Sequence, residues 1–133
     1  MKLVSYRDGK DIKIGVVIDE VVYDLQRAYC EYLKSKGCAL AEKIAAVRIP
    51  GDMVKFIEGG EKAYDAAKAA HKFILEKGSS AEEELGGIKL DKVQLEAPFI
   101  PKITICGGAN FYDHLDETKR SKPEEVEFFL KSP

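Results

Sequence analysis

Hydrophobic residues come in short runs near the amino terminus and then change to helical spacing after residue 24. Leu3-Val4-Ser5-Tyr6 reads as a first strand. Asp8-Gly9-Lys10-Asp11 follows with turn chemistry, including a glycine able to take positive φ. Ile12-Lys13-Ile14-Gly15-Val16-Val17-Ile18 is the second strand, and Asp19-Glu20 turns the chain into Val21-Val22-Tyr23-Asp24-Leu25. The three make an antiparallel meander. Its alternation is imperfect, which predicts one face well buried and the other partly covered.

Helices come next. Asp24 is placed to cap a helix over 25–36, where Leu25, Ala28, Tyr29, Tyr32 and Leu33 recur at helical spacing and Gly37 ends the pattern. A second helix is predicted over 39–47. Ile49-Pro50-Gly51 interrupts, and Asp52 then caps a short helix over 53–58. Gly59-Gly60 punctuates again. The clearest helix spans 61–77, with Ala63, Ala67, Ala70 and Ile74 on one stripe and Gly78 as its stop.

Residues 78–87, with glycine, serine and three consecutive glutamates, read as a solvated loop. The expected organisation is an α+β amino-terminal domain over 1–77, a linker and first connecting strand over 78–101, and a second domain beginning at 102. Val93-Gln94-Leu95 and Ile103-Thr104-Ile105-Cys106 look like strands in this later part. The apolar run Phe128-Phe129-Leu130 also reads as a strand, one expected to need a partner from later sequence.

Composition narrows the function classes. The chain has 133 residues, 45% hydrophobic and 33% charged, with 21 basic against 23 acidic residues and a net charge of −2. That balance gives no electrostatic footprint for nucleic acid or an anionic membrane. No apolar run approaches the roughly 20 residues needed to span a bilayer. The start of the chain lacks a signal core, and Cys30, Cys38 and Cys106 form no C-x-x-C pair. A reduced, cytoplasmic setting is expected.

The stretch with most chemical content is Cys106-Gly107-Gly108-Ala109-Asn110-Phe111-Tyr112-Asp113-His114-Leu115-Asp116-Glu117. A strand runs into glycines, then an asparagine, then a helical turn bearing acids and a histidine. His114 and Glu117 are three apart, so one helical turn brings their Cβ atoms to about 5–6 Å. A carboxylate against one imidazole nitrogen fixes the tautomer and makes the other a better base. The same spacing occurs by chance on many surface helices, and Asp113 and Asp116 serve equally well as caps or solvating charges. Elsewhere, His71 reads as a helix-surface residue and Cys106 as a small buried hydrophobe. The Gly-Gly pairs at 59–60, 86–87 and 107–108 form no nucleotide-binding loop.

From residue 103 to 117 the sequence resembles the fumarylacetoacetate hydrolase family. Its catalytic domain opens with a strand, a Gly-x-Asn-Tyr element and Asp-His-x-x-Glu, which Gly108, Asn110, Asp113, His114 and Glu117 match in order. The segments IGVVIDEVVYDL, IPGDMVKFIEGGE, LEAPFIPKITICGG and KPEEVEFFLKSP resemble the family text on either side. The resemblance implies a small amino-terminal α+β domain followed by the beginning of a mixed β-sandwich or β-roll catalytic domain, commonly a homodimer. It implies hydrolysis of a C–C bond in 2-oxo or 1,3-dicarbonyl acids, with His114 as base, Glu117 orienting it, and Asn110 and Lys131 contacting substrate. An isomerase or tautomerase, a decarboxylase, a dehydratase, or a non-catalytic docking or dimerisation module are the alternatives.

Two departures qualify the likeness. Phe111 stands where the family has tyrosine, which removes a hydroxyl. The family also holds Mg²⁺ (or Mn²⁺ or Ca²⁺) through a Glu-x-Glu pair and an aspartate that would lie beyond residue 133. Glu125-Val126-Glu127 precedes the Phe-x-Lys-x-Pro segment, so it reads as a surface turn and not as that pair. Without those ligands the 133-residue chain is expected to bind no metal and to turn over nothing.

Overall fold

The computed structural model describes residues 1–109 and 111–132, and they form two bodies, Met1–Phe99 and Ile100–Pro133. In the first, β1 (Lys2–Asp8), β2 (Asp11–Ile18) and β3 (Val21–Asp24) make the expected antiparallel meander. Helices α1 (Leu25–Ser35), α2 (Ala41–Arg48), α3 (Met53–Glu58) and α4 (Gly60–Lys77) follow. Asp24 and Asp52 cap α1 and α3, their carboxylates accepting from Arg27 N at 2.9 Å and Lys55 N at 2.8 Å. Each satisfies an amide that the first helical turn leaves without a partner.

The residues expected to be a linker are built into this body instead. A 3₁₀ turn and α5 (Ala81–Leu85) lead to β4 (Ile88–Lys89), which pairs with β3, and to β5 (Gln94–Glu96), which pairs with β1. The sheet order is therefore β4-β3-β2-β1-β5. The three glutamates are amphipathic-helix residues: they face water while Ala81 and Leu85 enter the core. The break between bodies falls after Phe99, close to the expected start of the second domain at 102.

The imperfect alternation of β2 follows from burial on both faces. Ile14 and Val16 face the helices, joining Leu25, Ala28, Phe56, Ile74 and the alanines of α4 in one core. On the other face, Tyr6 and Val22 close over Gly15. A Cβ at Gly15 would come within 2.6 Å of Val22 Cγ1 and 3.1 Å of the Tyr6 ring. Tyr6 and Val22 are thus buried where a meander would normally show polar residues.

The second body is a two-stranded antiparallel ribbon, β6 (Thr104–Gly108) with β7 (Glu127–Lys131), joined through α6 (Tyr112–Thr118). The apolar run at 128–130 thus pairs with β6, earlier in the chain. No helix among the described residues is long and apolar enough to cross a membrane.

Candidate functional site

Strand β6 delivers the chain through Gly107 and Gly108 to Ala109, which takes a left-handed φ of 48° ahead of α6. Asn110 and Pro133 lie outside the described residues, so the substrate contact expected of Asn110 has no structural counterpart here. Helix α6 begins without a side-chain cap at Phe111. Asp113 in its first turn complements the positive end of the helix dipole. Leu115 is the buried residue of this helix and fixes which face points inward. Lys119 ends the helix in the left-handed conformation, with Arg120 N bonded to Leu115 O at 3.0 Å.

His114 and Glu117 sit on that helix, one turn apart, and both are exposed. Leu115 takes the inward position between them, which leaves this pair on the solvent side. No hydrogen bond or ion pair joins the imidazole to the Glu117 carboxylate among the described residues. The expected dyad is placed by the backbone but its side chains are not engaged. The His114 carbonyl accepts from Thr118 Oγ1 at 2.6 Å, one turn further along the helix.

The hollow beside α6 has a volume of about 260 Å³ and does not include His114 or Glu117 in its wall. Its wall brings Gly108 and Ala109 from the strand end together with Tyr112, Lys122 and the acidic run at 124–127. The Lys122 ammonium lies 5.9 Å from the centre of the Tyr112 ring. Sequence reading passed over Lys122 and Tyr112. Their only signal was position, flanking the histidine helix and preceding a proline.

Glu125 lies in a bend, as expected, but Glu127 opens β7 and pairs with Arg120 at 3.3 Å. Among the described residues no three His, Cys, Asp or Glu side chains are grouped to hold a metal ion. The residues present therefore do not fit a Mg²⁺ site, which needs several oxygens in near-octahedral array. Lys131 pairs across the ribbon with Thr104, at the end remote from the glycines that lead into α6. Cys106 is half-buried and opposite Phe129.

No family model matches the chain, and no curated protein matches it.

Proposed function

We propose that the chain is the amino-terminal part of a fumarylacetoacetate hydrolase-family enzyme acting on 2-oxo or 1,3-dicarbonyl acids by C–C bond hydrolysis. The observation that supports this is the local path from β6 through Gly107 and Gly108 into a helix that carries His114 and Glu117 one turn apart. The mixed β-sandwich of that family would begin with the β6–β7 ribbon.

In this reading Glu117 rotates onto one imidazole nitrogen, and the other nitrogen takes a proton from water. A positioned base of this kind contributes about 10²–10⁴ in rate. The i, i+3 spacing permits the contact by side-chain rotation alone, and catalytic hydrogen bonds often close only with substrate bound. Asn110 supplies a polar contact to substrate in this reading, whereas Lys131 stands at the end of the ribbon remote from α6. The cation of that family would be held by residues outside 1–133. Residues 1–133 by themselves are accordingly expected to be inactive.

The test uses ¹⁵N-labelled chain and oxalate, an analogue of a 2-oxo acid enolate. Shifts confined to α6 and β7, with a change in the His114 tautomer on Glu117→Gln, are expected. Absence of any oxalate response removes the substrate reading, and a tautomer indifferent to Glu117→Gln removes the dyad. In a polypeptide carrying the whole catalytic domain, Glu117→Gln is expected to lower kcat at least tenfold on an acylpyruvate.

A further inference from the structure

Helix α2 is apolar on two sides. Ala41 and Ala45 are buried with Cys30 of α1. Leu40, Ile44 and Val47 recur four and three residues apart on another face. Val47, at 78%, is the most exposed large apolar side chain among the described residues, and Leu40 is 57% exposed. Leu40 caps the helix and already follows its path, since Ile44 N bonds to the Leu40 carbonyl at 3.0 Å. With Lys43 and Arg48, these three residues line an open hollow of about 390 Å³. A helix apolar on more than one side normally lies between neighbours, and here one side is covered.

The uncovered pattern has heptad form. Leu40, Ile44 and Val47 take the d, a and d positions, which puts Lys43 at g and Arg48 at e. Those two positions flank a coiled-coil seam and choose its partner. Neither cation meets a carboxylate among the described residues. The nearby acids are engaged elsewhere: Glu31 and Glu42 both pair with Lys34, at 3.0 and 3.5 Å.

We propose that this face of α2 docks an amphipathic helix of another protein, apolar along its seam and acidic at its flanking positions. The charges argue against a second copy of this chain. In a parallel pair, g of one helix meets e of the following heptad in the other, so Lys43 would face Arg48 on both flanks. In an antiparallel pair, g meets g and e meets e, so Lys43 would face Lys43 and Arg48 would face Arg48. Either way like charges oppose beside the seam, a penalty that selects for a different partner. Glutamate or aspartate at the partner's e and g positions turns both contacts into unlike pairs while its seam covers Leu40, Ile44 and Val47. Anchors at i, i+4 and i+7 suit this helix-on-helix mode of recognition. The inference does not depend on which reaction the chain serves.

The test titrates the ¹⁵N-labelled 133-residue chain with a helical peptide that has leucine at its a and d positions and glutamate at e and g. Shift changes centred on residues 40–48 are expected. The double variant Lys43→Glu/Arg48→Glu is expected to bind that peptide about tenfold more weakly, because two exposed pairs become repulsive. A peptide with lysine at e and g should show the reverse preference and bind the variant more tightly than the parent chain. Misfolding cannot imitate that reversal. No response to the glutamate peptide, equal affinity of the parent chain for both peptides, or a response of the same amides to phosphatidylserine vesicles but not to the peptide overturns the proposal. So does loss of peptide binding in a polypeptide carrying the whole catalytic domain, which would assign this face to later sequence.

Discussion

Arg7 and Glu96 lie diagonally across the β1–β5 pair, the Arg7 guanidinium donating from Nε to Glu96 Oε1 at 2.7 Å. Two positions along β1, Ser5 Oγ donates to the Pro98 carbonyl at 2.7 Å. These contacts join the first strand to residues 89 and 93 positions later. They hold residues 94–98 to the first strand, as the β4–β3 pair and the burial of Ala81 and Leu85 hold residues 81–89 to the same body.

Ser5 is buried and Arg7 partly exposed, so the two bonds should differ in worth. Ser5→Ala leaves the Pro98 carbonyl without its donor and is expected to cost about 1–2 kcal/mol. Glu96→Gln weakens a solvent-screened pair and is expected to cost under about 1 kcal/mol. Urea unfolding of both variants, followed by far-UV circular dichroism, gives the comparison. Equal costs would show that the Ser5 bond is not holding the β5 end of the sheet.

Leu85 is 2% exposed and packs in the main core from within the expected linker. Leu85→Ala is expected to destabilise the body by about 2–5 kcal/mol, the range for emptying a buried leucine site. A solvated linker would give a change near zero in the same thermal melt.

Gly15→Ala is expected to destabilise by about 1–3 kcal/mol, since the new methyl would meet Val22 Cγ1 at 2.6 Å. The double variant with Val22→Ala should recover part of that loss by making room. Additive losses in the double-mutant cycle would argue that Val22 does not limit the space above Gly15.

The Tyr6 phenol is pushed up to about 12, first by burial and then by the nearby Asp24 carboxylate. Its folded value lies above the unfolded value of about 10, so the neutral phenol favours the folded state fully below pH 10. That contribution is lost as pH climbs from about 10 toward about 12, because the unfolded chain ionises first. Lys13, raised by hydrogen bonds to Asp8 and Asp24, loses its contribution in the alkaline direction too. Tyr6→Phe is therefore expected to flatten the decline in stability over that alkaline range without abolishing it. Ultraviolet titration should show one fewer late-ionising tyrosine in the variant. An unchanged titration curve would assign the late phenol elsewhere.

Asp19 and Glu20 form a two-residue hairpin loop with φ of 47° and 62°. Both residues pay for a left-handed backbone that glycine adopts freely. Glu20→Gly is expected to raise stability by up to about 1 kcal/mol, since Leu90 N bonds to the Glu20 carbonyl and not to its side chain. A lowered melting temperature would count against the strain.

Local chemistry carried much of the fold. Asp24 and Asp52 are legible as caps because a carboxylate three residues before an amide is a short-range relation. The α4 stripe is legible because Ala63, Ala67, Ala70 and Ile74 recur at the period of the helix. The positions of His114 and Glu117 on one turn follow from the same period. The sequence by itself thus determined β1–β3, α1–α4, two aspartate caps and, through them, the class of the first body as α+β.

Tertiary structure decided the rest. Whether Glu82, Glu83 and Glu84 belong to a loop or to a helix depends on a core for Ala81 and Leu85 to enter, and that core is assembled from residues far away. The pairing of β5 with β1 and of β7 with β6 depends on edges that no local pattern specifies. Whether the His114 imidazole meets the Glu117 carboxylate depends on rotamers and neighbours, because a three-residue spacing fixes where side chains start and not where they end.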